Sequence, residues 1–208
     1  MERKKFLENL SLGIIATPLL SSTLISCNND DSANSSVDCN NNITKSDMLG
    51  PYYVSGSSEV TNLNTQSLPG DKIIVSGTIY GGVGNNTPVA NAMIEVWHAD
   101  NGGIYHPVGD GNVSDYQANQ ITLRGFITTN AQGQYTFESI RPGLYPGRPR
   151  HFHYKVTANG YQTLITQIYF SGDSRTADEN IDNCRIIDFT QNSQGVYTGT
   201  ANINLQSN

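Results

Sequence analysis

TTNAQGQYTFESIRPGLY, Thr128 to Tyr145, decides the fold. It reads as a strand, a tight turn, a second strand and then a Pro-Gly turn, because Asn, Gly and Pro punctuate runs of β-branched and aromatic residues. Outward from it the same grammar repeats. KIIVSGTIYG (72–81), AMIEVWHAD (92–100), ITLRGFITT (121–129), QYTFESI (134–140), HFHYKVTA (151–158), TLITQIYF (163–170) and VYTGTANINL (196–205) are short strand-like runs separated mostly by Gly, Pro, Asn or Asp. Runs of this kind at this spacing predict an all-β sandwich of seven to nine short strands with little helix. The stretch 171–184 is a polar loop with room for one helical turn. The link 103–119 is irregular, and long links in compact domains often carry function.

Composition narrows the function classes. The chain has 208 residues, 12 basic against 18 acidic, and no basic patch, which excludes nucleic acid as an expected partner. The N-terminus is read as a targeting segment. MERKKFLENL is basic at its front, and SLGIIATPLLSSTLI is apolar but short for a membrane span. Leu24-Ile25-Ser26-Cys27 resembles the lipobox of bacterial lipoproteins, in which the cysteine is lipidated. Arg3-Lys4-Lys5-Phe6-Leu7 resembles a twin-arginine export signal with lysine in place of one arginine, and it also reads as an ordinary signal n-region. The organisation expected is therefore a lipoprotein signal peptide over 1–27, a flexible polar tether over 28–46 and one sandwich domain over 47–208. That implies an exported protein held in the bacterial cell envelope, periplasmic or on the outer surface, through a lipid on Cys27. Outside the cytoplasm the remaining pair, Cys39 and Cys184, suggests a disulfide; the alternative is two unrelated thiols.

PGLYPGRPRHFHYKV (142–156) is where chemistry concentrates. In a strand, residues i and i+2 share a face, so His151 and His153 can reach one point while Phe152 turns away. Alone, H-x-H is as readily a pair of packing histidines. Tyr145 sits just upstream, and Tyr105 closes WHADNGGIY at the end of another strand. A tyrosine, with its free pKa near 10, ligates a metal only when a strongly acidic ion removes its proton. Ferric iron suits that task. No carboxylate or cysteine cluster competes for the role.

These segments resemble the intradiol ring-cleavage dioxygenases, the family of protocatechuate 3,4-dioxygenase and catechol 1,2-dioxygenase. The pieces are GPYYVSG (50–56), PVANAMIEVWHADNGGIY (88–105), LRGFITTNAQGQYTFESIRPGLYPG (123–147), RPRHFH (148–153) and LITQIYF (164–170), in that order. The resemblance implies a non-haem Fe(III) held by Tyr105, Tyr145, His151 and His153. Tyr145 and His153 would be axial, and Tyr105 and His151 equatorial beside a solvent ligand. It implies that Arg148 stabilises negative charge developing on the substrate and that Gln167 lies near the oxygen pocket. Tyr52 and Tyr53 match residues at the mouth, in contact with substrate. The implied reaction joins a catechol-type aromatic diol and O2 to give a muconate-type dicarboxylic acid, with Tyr145 taking a substrate proton. Catechol, protocatechuate, hydroxyquinol and larger diols are all compatible with these residues. Self-association into a homo-oligomer through sheet edges is also compatible.

The chain departs from the family's pattern in two places. Only Pro146 to Arg150 separate Tyr145 from His151, where the better-known enzymes carry a longer loop, which implies a more open site. Leu49 stands before GPYY where glutamate is common. A rival reading, a non-catalytic prealbumin-like module binding a partner at the cell surface, accounts for GQYTF and RPGLY but not for RPRHFH or GGIY. By residue type alone, Trp97 is expected in the core, His98 and His106 at the surface or around the site, and Asp100 and Asn101 in a turn.

Overall fold

The computed structural model describes residues 38–208 except 177 and 178. The expected signal peptide, Cys27 and residues 28–37 of the expected tether lie outside the described residues. Twelve strands follow in order: β1 Val54–Ser55, β2 Lys72–Gly81, β3 Met93–Trp97, β4 Gly111–Asn112, β5 Arg124–Thr128, β6 Gln134–Ile140, β7 His151–Thr157, β8 Leu164–Phe170, β9 Ile186–Ile187, β10 Thr190–Gln191, β11 Tyr197–Thr200 and β12 Ile203–Leu205. The only helical pieces among the described residues are four 3-10 turns of three residues each.

One five-stranded sheet runs β5-β3-β7-β8-β9. The other runs β10-β11-β2-β12, with β6 on the free side of β2. Their facing sides make one apolar core. Ile73, Val75 and Ile79 alternate inward from β2, against Ile94, Val96, Phe152, Tyr154, Val156 and Ile168 of the other sheet. This is the all-β sandwich that the period-two pattern predicts.

The strand count exceeds the expected seven to nine for identifiable reasons. Four of the twelve are two-residue pairings inside links. The expected strand over 196–205 is divided at Ala201 and Asn202. There the Asn202 side chain accepts the Thr78 N–H at 3.0 Å, and the Ala201 carbonyl accepts the Tyr135 hydroxyl at 2.7 Å. The flanking pairs Thr200–Ser76 and Ile203–Ile79 keep one register across the gap.

The open side of the sandwich is closed by residues 58–63. The Val60 N–H donates to the Phe126 carbonyl of β5, the Phe126 N–H donates to the Ser58 carbonyl, and Leu63 donates to Glu138 of β6. Leu63 is fully buried between the two edges. The strap covers edges that would otherwise template further pairing.

The latter part of the expected tether is built into the domain. The Asn204 side-chain amide donates to the carbonyls of Cys39, Asn40 and Asn42. Cys39 is disulfide-bonded to Cys184, 145 residues away, with a Cα separation of 5.2 Å. Closing a loop of that length contributes on the order of 5 kcal/mol in the chain-entropy model. That is comparable to the whole net stability of many domains.

His98 is not at the surface. It is fully buried, edge-on to Phe152, with Nδ1 2.8 Å from the Ala99 carbonyl and Nε2 2.7 Å from Ser139 Oγ. A carbonyl can only accept, so Nδ1 carries the proton and Nε2 accepts from Ser139. Burial holds its pKa down at about 3, against an ordinary 6.5. The folded imidazole therefore stays neutral while the unfolded one protonates. Its contribution is fully present above pH 6.5 and is lost as pH falls toward 3. The thermal midpoint should fall as pH is lowered through that window, and His98→Gln should show a shallower fall when both are followed by calorimetry.

Candidate metal centre

Strand register assembles the site's floor. Arg124, Trp97, His153 and Gln167 stand side by side across β5, β3, β7 and β8. The adjoining row sets His151 beside Tyr169. All lie on the face turned away from the core, because their neighbours Val96, Phe152 and Ile168 fill it. The Trp97 indole stacks on the His153 imidazole with centroids 4.8 Å apart and planes 8° from parallel.

Loops supply the walls. Tyr105 is delivered by a turn in which Asp100 Oδ1 accepts the N–H groups of Gly102 and Ile104, at 2.8 and 3.0 Å. The Gly143 N–H donates to the Asp100 carbonyl, and a Cβ at Gly143 would overlap the carbonyl of Asn101. The two segments that carry Tyr105 and Tyr145 thus touch backbone to backbone. The segment 47–53 passes over the histidines. Gly50 has φ +78°, and a Cβ there would lie 2.9 Å from His153 Cε1. Only glycine suits both the backbone and the ring beneath it.

Three side-chain atoms converge. Tyr105 Oη is 3.2 Å from His151 Nε2 and 3.0 Å from His153 Nε2, and the two Nε2 atoms are 3.1 Å apart. His151 Nδ1 lies 2.7 Å from the Pro149 carbonyl and therefore donates, which leaves Nε2 as a lone pair facing the other two. All three residues are buried. Burial lowers the His151 pKa to about 4, and burial and then His151 lower that of His153. Both imidazoles are neutral near pH 7, the state a ligand needs. Burial raises the Tyr105 pKa, so a nearby cation must supply the drive to ionise it. Adjacent ligands about 2.1 Å from an ion stand about 3.0 Å from each other, so the triangle fits one face of a metal ion's coordination sphere. Among the described residues no three His, Cys, Asp or Glu side chains cluster as ligands would. The converging set here requires a phenol.

Tyr145 stands beside this triangle. Its ring is edge-on to Tyr105 at 5.8 Å, and its hydroxyl lies 3.3 Å from Tyr52 Oη. Tyr52 stacks on Tyr105 at 4.5 Å. Its pKa is raised by the hydrogen bond with Tyr145 and by burial. Arg148 occupies another flank. Its Nη2 donates to Gln167 Oε1 at 3.0 Å and Tyr169 Oη at 3.1 Å, and its Nε pairs with Glu179 at 2.7 Å. Gln167 in turn donates to the Met48 carbonyl at 3.0 Å. Tyr169 donates to Asp47, which also pairs with Arg185. Burial opposes the Arg148 charge, but Glu179, Tyr169 and Asp47 together outweigh it and raise the pKa.

Tyr105, His151, His153, Tyr145, Arg148, Gln167 and Tyr52 therefore lie together. Tyr53 does not join them at the mouth. Its hydroxyl donates to Glu95 at 2.8 Å and accepts from Lys155 at 2.7 Å, while its ring packs on Trp97. Glu95 and Lys155 form an ion pair one row along the sheet from Trp97 and His153, and that pair draws the phenol away. His106 pairs with Asp100 at 2.8 Å. Sequence reasoning missed Asp47, Tyr169, Glu179 and Arg124. Alternation along β8 places Tyr169 on the Gln167 face and could have found it. Nothing local marks Glu179 in its polar loop.

A dioxygenase family profile matches residues 48–196. The chlorocatechol 1,2-dioxygenase of Rhodococcus opacus is 32% identical over 159 residues, 64% of this chain and 58% of that protein. The catechol 1,2-dioxygenase of Candida albicans is 33% identical over 150 residues, 62% and 47% of the two chains. The chain thus spans about half the length of these relatives. Among solved structures, the dioxygenase domain of a dioxygenase–carbohydrate-binding protein fusion from Streptomyces sp. SirexAA-E superposes with a TM-score of 0.69 at 34% identity, covering 80% of this chain and 100% of that one.

Gly50→Ala is expected to push the His153 ring aside. The imidazole resonances should shift in NMR spectra, and urea unfolding should show a loss of about 1 kcal/mol or more.

Proposed function

The chain belongs to the intradiol ring-cleavage dioxygenase family, and on that premise we propose that it is a non-haem Fe(III) enzyme. It cleaves a catechol-type diol between the two hydroxyl-bearing carbons, adding both atoms of O2 to give a muconate-type dicarboxylic acid. The observation that carries this reading is the convergence of Tyr105 Oη, His151 Nε2 and His153 Nε2 within 3.2 Å of one another, with Tyr145 and Arg148 beside them. A hard, highly charged ion suits phenolate and neutral imidazole donors. The chemistry it supplies when bound is Lewis-acid activation of the diol toward O2.

The protein's own groups would act around that centre. Tyr145, beside the triangle and hydrogen-bonded to Tyr52, would be held as a phenolate with the ion bound, and its Oη could then accept a proton from the incoming diol while Tyr52 steadies it. Arg148 sets a permanent positive charge where negative charge develops on the substrate, which is worth most in a water-poor site. Gln167, Tyr169 and Glu179 hold that guanidinium in one orientation, so little reorganisation is needed at the moment of reaction. Trp97, stacked on His153, and Tyr52, stacked on Tyr105, fix the planes of two ligand rings and exclude water from behind them. The short 146–150 link leaves the approach open to diols larger than catechol. The Cys39–Cys184 bond supports an exported protein, because such bonds persist in oxidising compartments.

Ferric iron added to the folded domain should bring up a tyrosinate-to-iron charge-transfer band that shifts when catechol is added without oxygen. A domain that stays colourless and iron-free would instead support the non-catalytic binding module. Tyr145→Ala or His153→Ala should lose the band while circular dichroism is unchanged. Arg148→Ala should keep the iron yet lower kcat about a hundredfold, the scale of losing one preorganised charge donor; unchanged turnover would remove Arg148 from the mechanism.

A further inference from the structure

A cavity of about 400 Å³ opens between the strap and the 113–121 link. That volume suits a small organic ligand. Val60, Val113, Tyr116 and Ile121 give it an apolar body, and Ser57 and Gln66 contribute polar groups at its wall. Its lining contains one cation, Arg124, and no acidic residue.

Arg124 is unusual among the described cations. It is only 4% exposed, yet no carboxylate pairs with it. Its Nε donates to the His106 carbonyl at 2.8 Å and its Nη1 to the Tyr52 carbonyl at 3.1 Å, while Nη2 is buried with no hydrogen-bond partner. Carbonyl dipoles solvate a buried guanidinium only in part, and burial lowers its pKa to about 10. An uncompensated buried charge favours a counter-ion that can come close to it.

We propose that this cavity is a binding site for a small organic carboxylate with an apolar body, its acid group drawn inward by Arg124 and its body against Val60, Tyr116 and Ile121. The cavity holds none of the candidate metal ligands, but it shares Arg124 with the floor of that centre and is mechanically joined to it. The same guanidinium grips the backbone at Tyr52 and at His106, the residue after Tyr105, so a bound acid pulls on the anchor of the stacked Tyr52–Tyr105 pair.

The probe is 4-fluorobenzoate, followed by fluorine NMR on the intact domain. Saturable binding in the millimolar range or tighter is expected, the affinity of one partly buried charge contact with a small apolar body. Filling the cavity with Ile121→Trp should weaken binding at least tenfold. Gln66→Trp, at an exposed position on the rim, should do the same without touching the core. Added catechol should not displace the probe. No saturation, binding unchanged in both variants, or displacement by catechol would each overturn the proposal, the last by assigning the probe to the metal centre.

Discussion

Alternation along β7 is the constraint from which the site follows. A strand offers two faces, and β7 uses both without compromise. Phe152, Tyr154 and Val156 face the other sheet and help hold the sandwich together. His151 and His153 face the loops. A one-residue slip would bury two imidazoles in the apolar core and expose Phe152 and Tyr154, so the same burial that stabilises the fold fixes where the imidazoles point. The register with β3 and β8 then sets Trp97 and Gln167 on either side of His153. Chemistry and packing are thereby locked to one register.

That arrangement carries a cost, because the outer face holds polar and charged groups away from water. The structure offsets it by pairing. Arg148 has Glu179, Lys155 has Glu95, and Arg185 has Asp47. Each compensates a charge held partly or wholly out of water that would otherwise oppose folding. The pairs also specify geometry. Arg148 is held from three directions, whereas a guanidinium bound only by carbonyls, such as Arg124, keeps its field largely uncancelled. Arg124 begins the row that ends at Gln167, and Arg148 is bound to that Gln167; Arg148 is oriented by one acid and two neutral acceptors, whereas Arg124 is left electrostatically open.

The sequence discloses the sandwich well where pattern is local. β2 and β6 fall where alternation puts them, residue for residue, and β7 and β8 begin or end within one residue of the expected runs. It discloses the four donor-type residues through i, i+2 spacing and family likeness. It is silent where placement depends on register between distant segments. Tyr52 and Tyr53 are adjacent in sequence and opposite in fate, because Glu95 and Lys155 meet across β3 and β7 and capture only the second phenol. His98 reads as a polar residue near a site and lies in the core, because Ser139 from the other sheet supplies a partner that spacing cannot reveal. Residues 58–63 carry no strand signature, since they serve two edges in succession and alternate against neither for long.

The disulfide acquires meaning from what lies near its ends. Cys39 leads into the segment bearing Asp47, Met48 and Gly50, and Cys184 closes the loop bearing Glu179 and Asp182 next to Arg185. Between them, Lys45 pairs with Asp182 and Asp47 with Arg185. These links hold together two surface segments that would otherwise be tied only by exposed contacts, which contribute little singly. From that clamped pair come the Met48 carbonyl on Gln167, the Asp47 carboxylate on Tyr169 and the Glu179 carboxylate on Arg148. The orientation of the cation beside the candidate metal centre is therefore set by covalent and ionic ties at the domain's periphery. A sandwich with few helices to brace its loops reaches the precision such a centre needs by stapling two loops to each other and then to one arginine.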